Sequence, residues 1–228
     1  MEGVDRLLMF SSNQVRIFTD AGIDPKRLHP VLFGVDERFY HPSKEPRRFQ
    51  VLAAGVDRGR DWQTLVEAAR LLPHIRFELY TRPETVAPLA VPSNMTVHAP
   101  VGIDEHRHNL QSSDLVVVPT HDLAYPTGQS VMLEAMASGA CVAVTATEAM
   151  ADYQDDGVST LALPLHDPEG VASVIEMPIE DAALRRQIAE SGRAAIEERF
   201  TFTRMWDEIR QVVRDVARDG ASTASAFR

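Results

Sequence analysis

Between Phe49 and Leu163 short apolar runs alternate with segments of helical period, and no other feature restricts the fold so strongly. Phe49 to Ala54, Phe77 to Tyr80, Met95 to His98, Leu115 to Pro119, Cys141 to Thr145 and Thr160 to Leu163 read as strands. Between them, Asp61 to Leu72 places Trp62, Leu65, Val66, Ala69 and Leu72 at helical spacing, and Asp104 to Ser112 also reads as a helix. Strands alternating with helices specify a parallel sheet covered on both faces, with right-handed crossovers. The run LVVVP agrees, because a strand buried on both faces has no polar side. Ligands of such sheets collect at the carboxyl ends of the strands, where the loops after Ala54, Tyr80, His98 and Pro119 meet.

The most informative stretch is Pro126 to Thr145, PTGQSVMLEAMASGACVAVT, a Gly-containing loop, a short helix and a β-branched run. Thr127, Gly128 and Ser130 suit a helix entrance, where the first backbone N–H groups lack partners within the helix. Gly139 suits its exit, since a left-handed residue after the last turn costs glycine nothing sterically. Val131, Met132, Leu133, Ala135, Met136 and Ala137 leave almost no polar face, so this helix is expected to be buried, with the methionines as core. Glu134 lies within that apolar surface. A carboxylate in such a place needs a pairing group or a ligand that hydrogen-bonds it. Unpaired amides at the helix start, with the helix dipole, make a phosphate site, and a carboxylate one turn further in accepts hydrogen bonds from a diol. The plainer alternative is a core helix whose glutamate merely caps or pairs.

This segment resembles the donor-site signature of retaining GT-B glycosyltransferases of the glycosyl transferases group 1 family. In that family a Gly-rich loop leads into a Leu-Glu-Ala-Met-Ala helix, a small-residue turn and a Val-rich strand. The resemblance implies a Rossmann-like parallel sheet of about six strands with helices on both faces, one half of a GT-B fold of α/β class, plus a C-terminal helical tail. It places the ribose-binding glutamate at Glu134 and main-chain contacts to sugar and phosphate at Gly128, Gln129 and Ser130. In the loop GVDRGRDW, starting at Gly55, Arg60 falls at the family's lysine position and Arg58 is nearest to its arginine. Guanidinium groups suit a departing diphosphate because they bind phosphate oxygens through two parallel hydrogen bonds. The alternative there is a solvated turn with Asp61 capping the helix. Arg82 and the VHAPVG loop, with Ala99 and Val101, fall where the family contacts the nucleobase.

One position departs from the family. Its first glutamate, close to the transferred sugar, maps to Pro126, so that carboxylate is missing unless Asp122 replaces it through a loop shift. His121 and Asp122 are candidate sugar contacts, with plain turn chemistry as the alternative.

The flanks extend the likeness. Asp5 to Phe10 reads as a strand and Asn13 to Ala21 as a helix, followed by a connection through Pro25, Pro30, Gly34 and Pro42. Gly34, Val35, Asp36, Phe39 and Pro42 match the family's interdomain linker, and Asp156-Gly157 and Asp167-Pro168 match later pairs. Residues 1–42 thus read as a remnant of an N-terminal domain plus linker and 43–200 as the donor-binding domain. Residues 201–219 read as a crossing helix and 220–228 as a flexible tail. Within the second unit Thr147 to Tyr153, Pro168 to Ile175 and Glu180 to Glu198 are expected to be helical, and Thr201 is expected to cap a helix from Phe202 to about Ala217.

Composition closes off other classes. A net charge of −10 without a Lys/Arg cluster argues against a nucleic-acid surface. No apolar run is long enough to span a bilayer, and the start MEGVDRLLMF lacks the pattern of a signal peptide, so a cytoplasmic protein is expected. The lone Cys141 reads as a small buried hydrophobe. The histidines, including His106 and His108, show no ligand spacing, so neither metal nor other cofactor is expected, and the nucleoside-diphosphate sugar enters as donor substrate. The expected partners are that donor and an acceptor (a sugar, lipid-linked sugar or small molecule) bound by a separate domain or subunit. The rival reading is a non-catalytic nucleotide-sugar-binding or regulatory subunit. A dinucleotide oxidoreductase is disfavoured because Gly55 and Gly59 lack the spacing and third glycine of that fingerprint. A sugar-nucleotide epimerase on the same scaffold has no specific support.

Overall fold

A computed structural model of the chain describes residues 3–44 and 46–226. At the start, β1 (Leu7–Met9), α1 (Asn13–Asp20) and β2 (Leu28–Pro30) form a small unit in which the two strands pair in parallel. The β2 segment lies inside the stretch read as a connection. Three residues ending in proline carry no periodic signal, and only pairing with β1 makes them a strand.

Then follow β3 (Phe49–Ala54), α2 (Trp62–Leu71), β4 (Phe77–Tyr80), α3 (Pro83–Val86), β5 (Met95–His98) and α4 (Ile103–Gln111). The second half comprises β6 (Ser113–Val118), α5 (Gln129–Ala137), β7 (Cys141–Thr145), β8 (Leu161–Leu163), α6 (Pro168–Glu180), α7 (Ala182–Arg199) and α8 (Phe202–Ala226). Thr147 caps a single 3-10 turn, Glu148–Met150, in place of the helix expected there. The last helix extends past 217 to Ala226, and residues 227–228 of the expected tail lie outside the described residues.

The main sheet has six strands in the order β5-β4-β3-β6-β7-β8, every neighbouring pair parallel. This is the doubly wound parallel sheet expected from the alternation. Strand order reverses between β3 and β6, so the loops leaving these strands diverge and open a crevice at the carboxyl edge.

Alternate residues of each strand feed opposite layers. Val51, Phe77, Leu79 and Val117 pack with Trp62, Leu65 and Ile175 of α2 and α6. Leu52, Val116, Val118 and Val142 pack with Leu110, Met132, Met136 and Ile196 of α4, α5 and α7. Each such fully buried side chain contributes about 1.5–3 kcal/mol of transfer free energy. Asp61, Asp167 and Asp181 cap α2, α6 and α7 by accepting hydrogen bonds from first-turn amides. Cys141 is buried, and desolvation pushes its thiol pKa up to about 12, as befits a packing residue.

The first unit is stitched to the main sheet by its connection. The Tyr153 hydroxyl donates to Phe10 O at 2.5 Å and accepts from the Phe33 amide at 2.9 Å. The Val35 amide donates to Phe200 O and the Phe202 amide to Val35 O, tying the connection to the start of α8. Among the described residues no helix is long and apolar enough to cross a membrane.

Candidate functional site

The crevice is lined by the loop after β3, the start of α5 and the facing ends of α4 and the connection. Arg60 lies at its centre, with 2 % of its side chain exposed. Its guanidinium is held between two glycines. A Cβ on Gly55 would lie 2.3 Å from Arg60 Nε, and one on Gly128 would lie 2.3 Å from Arg60 Nη1. Gly128 also has φ +83°, so glycine is required there both for conformation and for space.

Two donors of this buried cation, Nε and Nη1, have no hydrogen-bond partner. Asp57 Oδ2 lies 3.1 Å from Nε without hydrogen-bond geometry, so the pairing there is electrostatic. Burial lowers the Arg60 pKa, while Asp57 and then Glu134 act to raise it. Asp57 itself is fixed by the Gly59 amide at 2.9 Å and the Thr127 hydroxyl at 2.8 Å. Burial works to raise its carboxyl pKa, but Arg60, Thr127 and Gly59 outweigh this and the net shift is downward. Thr127, read as an entrance residue of α5, is therefore spent on Asp57, and no side chain caps that helix. The Gln129 amide is turned to Pro126 O at 3.3 Å, and the first helical bond runs from Met132 N to Gly128 O. The Ser130 and Val131 amides consequently open the helix with no partner inside it.

Glu134, one turn further, is partly buried rather than sealed in the core. Its Oε2 lies 3.0 Å from His106 Nε2 on α4, and the Tyr40 side chain lies close enough to feel its charge. Desolvation and then the charge of Glu134 raise the Tyr40 pKa, which keeps that hydroxyl a donor. Glu134 and Ser130 face a cavity of about 380 Å³ whose other walls include Phe39, Ile103 and Phe202. An apolar slot with a few convergent polar groups suits a nucleoside.

The structure thus brings Gly55, Arg60, Gly128, Gln129, Ser130 and Glu134 to one edge. The other residues singled out from the sequence stand apart from them. Arg58, Arg82 and Asp122 are exposed, and among the described residues their side chains make no hydrogen bond or ion pair, although the Arg82 carbonyl accepts from the Thr85 amide. Ala99 is exposed and Val101 half-buried in the loop before α4. Pro126 is buried.

The sequence does not single out Asp57, Tyr40 or His106. The histidine has no metal-ligand spacing, and what matters is its place on α4 facing Glu134 of α5. A second convergence was equally out of reach: Asp61, His121 and His166, far apart in the chain, bring their ligand atoms within 4.8 Å of one another.

Solved structures share this architecture. A sucrose-phosphate synthase from Thermosynechococcus elongatus superposes with a TM-score of 0.81 at 18 % identity, over 96 % of this chain and 60 % of that one. HepE of Anabaena, solved in complex with UDP-glucose, gives 0.78 at 15 % identity, over 93 % of this chain and 64 % of its own. The C-terminal domain of the group 1 glycosyl transferase LpcC from Francisella tularensis gives 0.61 at 18 % identity, over 74 % of this chain and all 100 % of that domain. The chain therefore spans about 60–64 % of the longer structures, and its fold is that of the C-terminal half of a GT-B protein. No curated protein matches. A family model described as glycosyl transferase-like matches residues 58–211, and the chain belongs to that family.

Proposed function

We propose that this chain is the donor-binding half of a retaining glycosyltransferase. In that reaction a sugar leaves its nucleoside diphosphate and joins an acceptor hydroxyl with the anomeric configuration kept. The observation that carries the reading is the buried Arg60 guanidinium, enclosed by Gly55 and Gly128 with two donors unfilled. Unfilled donors on a buried cation are costly even beside Asp57, and a phosphoryl group at the α5 entrance would supply acceptors. Because the two glycines enclose it, the anion reaches Arg60 as the loop from Gly55 adjusts.

The remaining roles follow from position. The Gly128 to Ser130 backbone and Arg60 stabilise the charge that develops on the departing diphosphate, without a cation at that point. Glu134, held by His106, accepts hydrogen bonds from the ribose hydroxyls. The loop carrying Ala99 and Val101 borders the base, with Arg82 beyond it. Arg58, exposed beside the crevice, is a second cation for the diphosphate. The acceptor, a sugar, lipid-linked sugar or small molecule, is recognised by a separate domain or subunit facing the crevice.

Titration of the purified chain with UDP, GDP and their sugars tests this. Saturable binding by the parent, weakened in both Arg60→Met and Glu134→Ala, is expected; no binding of any of them by the parent overturns the reading. Robust transfer to an added acceptor by this chain alone would refute the need for a second domain.

A non-catalytic nucleotide-sugar-binding subunit is the second reading. It is favoured by the buried Pro126 at the place of the family's first glutamate, with Asp122 exposed and in no contact that would replace it. Donor binding with no turnover, even with acceptor and partner domain supplied, would select it.

A further inference from the structure

On the α2 and α6 side of the sheet edge, three loops converge on one carboxylate. Asp61 caps α2, and its Oδ2 accepts from the Thr64 hydroxyl at 2.7 Å. His166 Nδ1 lies 2.9 Å and His121 Nδ1 3.9 Å from that same Oδ2. The loop bearing His121 is pinned beside Asp61, since the His121 amide donates to Gly59 O at 2.9 Å. The Asp61 side chain is 6 % exposed, whereas those of His121 and His166 are 43 % and 60 % exposed. All three line a cavity of about 420 Å³.

We propose that Asp61, His121 and His166 bind a divalent transition-metal cation of the zinc type, with its open coordination positions facing this cavity.

Two imidazoles and one carboxylate are a donor set that suits zinc, and three protein ligands leave room for water or an anionic oxygen. With metal–ligand bonds of ~2.1 Å, tetrahedral geometry separates ligand atoms by about 3.4 Å. The separations of 2.9 and 3.9 Å bracket that value, so small ring movements would seat the ion. Thr64 holds the carboxylate from behind through its amide and its hydroxyl, which is the outer support that metal ligands use.

A plain hydrogen bond between Asp61 and His166 accounts for one histidine only. It does not explain why His121 presents Nδ1 to the same oxygen from beyond hydrogen-bonding distance. Nor does it explain the backbone of His166, the one non-glycine residue with positive φ (51°) among the described residues. Glycine would adopt that conformation without strain, whereas histidine at 166 sets an imidazole against Asp61. A cation at His166 Nδ1 takes the tautomer protonated at Nε2, so the ring keeps its one proton and the contact with Asp61 Oδ2 passes to the metal.

This inference stands apart from the transferase reading. The test is titration of the chelator-stripped chain with Zn²⁺ by calorimetry and with Co²⁺ by visible absorption. One cation per chain is expected, with Co²⁺ bands of a four- or five-coordinate site. Affinity should fall at least tenfold in His121→Ala and His166→Ala, and in Asp61→Asn, which keeps the helix cap. His166→Gly should raise the melting temperature of the metal-free chain while removing the shift caused by Zn²⁺. Absence of saturable binding overturns the proposal. So does affinity that survives these changes, or that falls only in His74→Ala, a variant of the exposed His74–Glu176–Glu180 group. Cation binding without any nucleotide binding would leave this site standing and count against the transferase alone.

Discussion

Replacing Arg60 by methionine separates the cost of the site from its use. Arg60 is buried, two of its donors are unfilled, and its ion pair with Asp57 lacks hydrogen-bond geometry. Each unfilled buried donor costs about 1–3 kcal/mol, so two of them cost roughly 2–6 kcal/mol. Against this stand the attraction of Asp57 and the packing of the side-chain stem, which methionine largely preserves. Asp57 keeps its bonds from Gly59 and Thr127 and is partly exposed, so losing its cation does not strand it. The ligand-free chain should therefore be no less stable than the parent within about 1 kcal/mol, and it is expected to be more stable. Nucleotide binding should go the other way. One hydrogen bond to a charged group contributes about 1.5–3 kcal/mol, which corresponds to about a 10- to 150-fold loss of affinity for a nucleoside diphosphate. The assay pairs urea denaturation of the free chain with calorimetric titration by UDP and GDP. A variant destabilised by 3 kcal/mol or more with nucleotide affinity unchanged would show that Arg60 is a structural cation, and the phosphate argument would fail.

Other consequences are read with similar means. Glu134→Gln, which keeps the shape but not the charge, should weaken nucleoside diphosphates more than inorganic pyrophosphate; equal losses for both would place Glu134 outside the ribose contact. Gly128→Ala forces a side chain into a left-handed residue against Arg60 and Val118, and a loss of at least about 1–2 kcal/mol is expected in urea denaturation. Tyr153→Phe strands the Phe33 amide and Phe10 carbonyl, costing about 1–3 kcal/mol and loosening the first unit, which limited proteolysis near Phe10 would reveal. The Cys141 thiol holds its proton in the folded chain up to about pH 12 but loses it near pH 9 when unfolded. Its contribution to stability is therefore complete below pH 9 and is lost as pH rises towards 12. At an intermediate pH of ~10.5 the difference amounts to roughly 2 kcal/mol, so Cys141→Ala should flatten the alkaline fall in stability measured by denaturation.

What could be read from the sequence was whatever depends on near neighbours in the chain. The six strands of the main sheet were legible because Leu52, Val116, Val142 and their neighbours are apolar over windows longer than a turn. The start of α5 was legible because a glycine before an apolar helix implies an open set of amides. Three-residue β2 was not, since its pairing with β1 spans more than twenty residues. The same distinction governs the site. Gly128 and Glu134 belong to one segment, and their relation is fixed by helical rise. The partners that set their chemistry come from other segments: Arg60 and Asp57 after β3, His106 on α4 and Tyr40 in the connection. A glutamate amid apolar residues announces that something must meet it, and the sequence leaves open whether this is a ligand or another side chain. In the structure His106 meets Glu134, and the carboxylate stands at the wall of a cavity instead of being sealed in the core. A carboxylate reached by one neighbouring side chain and open to a cavity keeps an oxygen free to meet a further donor, which is the feature that the Glu134→Gln comparison of nucleoside diphosphate with pyrophosphate probes.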